Sequence, residues 1–64
     1  MTEELLDIKQ VKDVLKVSER TLFRLIKKRE LQGFKVGREW RFMRADIATF
    51  IERQRQKASE EEQH

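Results

Sequence analysis

No cysteine occurs in this sequence, and its single histidine, His64, is the last of 64 residues. Without cysteine there is no disulfide framework, no thiolate zinc site and no redox centre. A lone terminal histidine argues against an imidazole-built metal or catalytic site, so neither metal nor cofactor is expected. No apolar run approaches the roughly 18 to 20 residues of a membrane span, and nothing resembles a signal peptide. A soluble, cytoplasmic protein without a membrane partner is expected. A chain this short buries only about 60% of its unfolded surface, enough for one thin core. It leaves no room for an ordinary catalytic cleft or a separate effector domain, and no small-molecule ligand is expected. Ser18 and Ser59 have no evident base near them in the pattern, and Glu3 and Glu4 sit in a terminal segment. An enzyme is not expected.

What is present is charge, unevenly spread. Net charge is only +3, yet all 15 Lys and Arg lie between Lys9 and Lys57. Six of the 12 acids fall outside that window (Glu3, Glu4, Asp7, Glu60, Glu61, Glu62), so the window carries 15 − 6 = +9. From Arg20 to Arg44 nine bases face Glu30 and Glu39 alone, or +7 over 25 residues. A field of that sign and density favours a polyanionic partner.

The pattern predicts three helices and one ribbon. Asp7 with Gln10 three residues on forms a capping box ahead of a helix from Ile8 to Leu15 or Lys16. Ile8, Val11, Val14 and Leu15 share its apolar face, leaving Lys9, Lys12, Asp13 and Lys16 to solvent. Ser18 is the expected N-cap of a second helix, about 19–29, and Glu19 complements the helix dipole. At 100° per residue, Leu22, Leu25 and Ile26 fall on one side. Arg20, Arg24, Lys27 and Lys28 fall on the other, with Thr21 and Phe23 at its two edges. Only Lys16 and Val17 separate the first helix from the Ser18 cap, which forces the large crossing angle of a helix-turn-helix. Val17 is expected to plug that angle. A last amphipathic helix opens near Asp46, with Ile47, Phe50 and Ile51 as its stripe. Beyond Ile51 no large apolar residue appears. Residues 1–5 are expected to be flexible, 6–53 to form the domain, and 54–64 to be a polar, frayed or disordered tail.

Between the second and third helices, "FKVGREWRF" alternates like a strand pair. With a three-residue loop of Gly37, Arg38 and Glu39, Val36 pairs with Trp40, Lys35 with Arg41 and Phe34 with Phe42. Cross-strand partners share a face, so this register sends Phe34, Val36, Trp40 and Phe42 inward and Lys35 and Arg41 outward. A two-residue loop would mix charges and aromatics on both faces, and the clean separation favours the longer loop.

These features converge on double-stranded DNA. The major groove admits a helix, and Arg bonds bidentately to guanine O6 and N7. Arg20 and Arg24, one turn apart, suit base edges, while Lys27 and Lys28 suit flanking phosphates. Ser18, Thr21 and the first free N–H groups of the second helix suit a phosphate at its N-terminus. Lys35, Arg38 at the tip and Arg41 then project from a braced arm fit for a backbone or a minor groove. The ribbon reads as a wing.

The stretch "LDIKQVKDVLKVSERTLFRLIKKRELQGFKVGREWRFMRADIATFIE", from Leu6 to Glu52, resembles the excisionase-type helix-turn-helix domain, a small winged-helix relative of the MerR regulators. The resemblance is carried by "VSERTLFRLI", by Glu30 and Leu31, by "FKVG", "WRF" and "ADI". It implies a mainly α fold with a small β-hairpin, a winged helix-turn-helix of three helices and a two-stranded wing. In it the second helix enters the major groove and the wing grips the adjacent minor groove or backbone. It supports Ser18, Thr21 and Arg24 on the recognition helix and Arg38 and Arg41 in the wing. Arg20, Lys27, Lys28 and Lys35 rest on face geometry. Two departures stand out: Arg29 replaces the family's usual Gly, and Gln32 its usual Pro. Either Arg29 adopts a left-handed cap or the helix runs one residue further.

The expected role is a non-enzymatic regulator of transcription or an excisionase-like recombination accessory factor. The N-terminal DNA-binding piece of a longer regulator is equally compatible with a chain beginning at Met1. A lone module with few base contacts would bind modestly and with strong salt dependence. It would call on neighbouring copies along the DNA or on a recombinase or transcription partner. The alternatives are a protein-interaction adaptor whose helix-turn-helix no longer binds DNA, and an RNA-binding module.

Overall fold

The computed structural model describes residues 4–62. In chain order the elements are β1 (Leu5–Leu6), α1 (Ile8–Leu15), α2 (Glu19–Lys27), β2 (Phe34–Val36), β3 (Glu39–Met43) and α3 (Arg44–Glu62). The strands form one antiparallel sheet in the order β1-β3-β2.

α1 begins as its spacing predicts. The Asp7 carboxylate accepts the Gln10 N–H at 2.8 Å, and the Gln10 side-chain oxygen accepts the Asp7 N–H at 2.9 Å. Two backbone donors that the first turn leaves without helical partners are thereby satisfied. Val11 is fully buried, and Ile8 and Leu15 pack beside it, but Val14 is 52% exposed and stands off the core.

The core is Leu6, Val11, Leu22, Leu31, Phe42, Ile47 and Phe50, and no polar or charged side chain among the described residues is buried. Every element contributes except β2, whose three residues are all exposed. The ribbon register is accordingly different from the expected one. Phe34 pairs with Arg41, Lys35 with Trp40 and Val36 with Glu39, closing a two-residue loop of Gly37 and Arg38. Gly37 has φ 66°, and Arg38 is not among the residues with positive φ. Glycine at the first central position is the pattern of a primed two-residue turn, whose twist matches that of its strands. The one-residue shift separates side chains that the longer loop would have grouped. Trp40 and Phe42 face the core with Lys35, whereas Phe34 and Val36 share the opposite face with Arg41. The four inward apolar residues expected are thus two, and Phe34 and Val36 are 39% and 55% exposed. Apolar separation selects a register only where one face is covered. This hairpin reaches past the core, so turn chemistry decides instead.

Two further elements differ from expectation. The sheet has a third strand, because Leu5 and Leu6 pair with Met43 and Phe42 and lay Leu6 on the core. The flexible N-terminus expected for 1–5 lies outside the described residues at 1–3, and Leu5 already belongs to β1. α3 continues 11 residues beyond Ile51 to Glu62, with only 63–64 of the expected tail outside the described residues. Arg55 reaches Glu52 at 3.3 Å on the same helix, and Lys57 reaches Glu30 in the loop after α2 at 3.8 Å. No helix among the described residues is long and apolar enough to cross a membrane.

Candidate nucleic-acid interface

The turn between α1 and α2 is made by Lys16, which takes the left-handed conformation (φ 57°, ψ 45°). Its N–H and that of Val17 both return to the Lys12 carbonyl, the latter at 3.3 Å. Val17 packs against the core, as the short turn requires. The chain extends at Ser18 (φ −74°, ψ 162°) and α2 starts. The Ser18 hydroxyl accepts the Thr21 N–H and donates to the Thr21 Oγ1, each at 3.1 Å. Ser18 is thus occupied by capping, while Thr21 keeps a hydroxyl proton and the Glu19 and Arg20 N–H groups precede the first helical bond. An exposed ion pair, Lys12 to Glu19 at 3.7 Å, spans the two helices.

α2 has the two faces that its sequence dictates. Leu22 is fully buried, and Leu25 and Ile26 pack against the core. Arg20, Arg24 and Lys27 are exposed on the other side, with Lys28 just past the last turn. Among the described residues none of these four has an ion-pair partner. Instead of reaching residue 29, the helix ends at Lys27. Arg29 has φ 63°, the first of the two conformations considered for it. Its N–H donates to the Ile26 carbonyl and that of Glu30 to the Leu25 carbonyl, both at 3.0 Å. This is the Schellman pattern, with arginine where glycine relaxes the backbone. It delivers Leu31 into the core, where it is 1% exposed.

The register splits the wing cations. The Lys35 ammonium lies 5.5 Å from the centre of the Trp40 ring. Trp40 stacks on Phe42 (centroids 6.4 Å apart, planes at 22°) and makes a T-shaped pair with Phe23 of α2 (6.2 Å, 64°). A row of contacts therefore runs from the fully buried Phe42 through Trp40 to Phe23 on α2. Arg41 is on the other face, so the common outward face expected for Lys35 and Arg41 does not exist. Its Nη1 donates to the Trp40 carbonyl at 2.8 Å, and its Nη2 approaches Glu39 at 3.5 Å. Arg38 stands exposed at the turn. Phe23 received no role from sequence beyond marking an edge of the basic face. Its spacing, three residues after Arg20 and four before Lys27, was the available signal.

A family model described as a helix-turn-helix domain matches residues 5–55. No curated protein and no solved structure matches. Two short helices joined at Lys16 and Val17 are the helix-turn-helix that this description names. With most of its length matched, the chain belongs to the helix-turn-helix domain family, of the excisionase type, whose partner class is DNA.

Proposed function

We propose that this chain is a non-enzymatic double-stranded DNA-binding module that sets α2 in the major groove. The observation that carries the reading is the exposed cationic face of Arg20, Arg24, Lys27 and Lys28, without a carboxylate partner among the described residues. Arg20 and Arg24 address base edges, and Lys27 and Lys28 the phosphates on either side. Thr21 and the first N–H groups of α2 meet a phosphate, with Ser18 holding them in place. Lys35 and Arg38 extend the contact along the wing, while Arg41 braces its base through Trp40 and Glu39 before any contact of its own. Such a module serves a transcriptional regulator or a recombination accessory factor, alone or as the DNA-binding piece of a larger chain.

The test is fluorescence anisotropy with mixed duplex and matched single strands, at about 50 and 200 mM salt, beside Arg24→Ala. Preference for duplex, weakening with salt and loss in the variant are expected. A second reading, an adaptor that contacts protein, has one observation behind it. Val14, Val17, Leu25, Ile51 and Ala58 line an apolar groove between α1, α2 and α3, and Val14 and Ile51 are exposed within it. Indifference to duplex at low salt would favour that reading.

A further inference from the structure

Arg20, Phe23, Arg24 and Lys27 surround a shallow hollow of about 560 Å3 on the exposed side of α2. Phe23 is its only apolar member. It belongs neither to the buried core nor to the partly buried residues packed against that core. It is half-buried, and the part of its ring that remains exposed borders this hollow. The ring packs against Trp40 in a T-shaped pair, and Trp40 is itself held between Phe42 and Lys35. The ring is held in place from behind, with its free side among three cations.

An apolar surface framed by cations fits a ligand that is polyanionic at its rim and has an apolar group at its centre. In the major groove only an A·T pair offers such a group, the C5 methyl of thymine. We propose that Phe23 is a specificity-determining residue that packs on a thymine methyl beside the bases or phosphates engaged by Arg20, Arg24 and Lys27. This rests on the reading of α2 as the groove-bound helix, and it adds a sequence preference that arginine contacts to guanine do not supply. A deoxyribose could also meet the ring, and the two cases separate experimentally because only the base carries the methyl.

The experiment begins with a duplex library randomised across the footprint and selected on the whole chain. The best-retained duplex is then compared with a copy in which every thymine is replaced by uracil, which pairs identically but lacks the methyl. Wild-type protein should bind the uracil copy about fourfold more weakly for each methyl it buries. Single uracil substitutions should confine the loss to one or two positions. Phe23→Ala, and Phe23→Leu should the first fail a thermal-unfolding check, should bind the two duplexes equally or nearly so. Equal wild-type affinity for both duplexes would overturn the assignment without touching the DNA-binding reading. An unchanged thymine-to-uracil ratio in the variants would overturn it too, because another residue would then be reading the methyl. Failure to retain any duplex would remove both conclusions together.

Discussion

α2 and the β2–β3 hairpin are both rich in cations, but they use them differently. Arg20, Arg24 and Lys27 project from a helix whose other face is anchored by Leu22, and none meets a carboxylate among the described residues. In the hairpin, Lys35 lies on Trp40 and Arg41 is tied to a carbonyl and to Glu39, so only Arg38 at the tip is free of such contacts. A cation already engaged with its own protein must give up or share that contact to meet a phosphate. Counting bases along the sequence therefore overstates the free charge of the wing relative to that of the helix. The cations of the helix stand unpaired among the described residues, whereas much of the wing's charge goes into contacts within the wing.

Breaking the anchor of the helix should have the largest effect. Leu22→Ala is expected to destabilise the fold by about 2–5 kcal/mol, measured by urea unfolding, enough to threaten folding of so small a domain. Gly33→Ala attacks the other side of the comparison, because a Cβ there would sit 2.5 Å from the Phe42 ring. Phe42 is fully buried and has little room to yield. A loss of about 1–3 kcal/mol in thermal or urea stability is expected, with the hairpin displaced. Arg24→Ala should weaken duplex binding by about 1–3 kcal/mol with little change in melting temperature. Arg41→Ala should weaken it less and lower the melting temperature more. Anisotropy and thermal unfolding on the pair decide this, and equal affinity losses would undo the contrast between helix and hairpin. The smallest effect is expected for Ser18→Ala, about 1 kcal/mol of stability from the lost cap, visible in a denaturant titration.

The helices were legible because their signals are local and chemical. The Asp7 and Gln10 capping box, the Ser18 cap and the division of α2 between Leu22 and Arg24 each follow from a few neighbouring residues. β1 was not legible, since two residues have no period and Leu5–Leu6 become a strand only through β3. The end of α3 was missed because its last turns lack an apolar stripe. Good helix formers such as Lys57, Ala58 and Glu60, with the Arg55–Glu52 pair, continue it without one. The wing register failed for a different reason: it was inferred from burial, and the outer hairpin is not buried. For the candidate site, the cationic face of α2 was readable from spacing. The partnering of Lys35 and Arg41 depended on that register and was not.

α2 is entered and left through residues in the left-handed conformation, Lys16 and Arg29, and neither is glycine. Each non-glycine residue so placed costs about 1 kcal/mol or more, yet each also puts a positive charge beside α2. Backbone ease and electrostatic reach are therefore set against each other at the same two corners. Replacing both by glycine would relax the chain while lowering its formal charge from +3 to 3 − 2 = +1. A laboratory selection for heat resistance alone would drift toward glycine at 16 and 29, and the survivors would be sturdier proteins with a thinner field around α2.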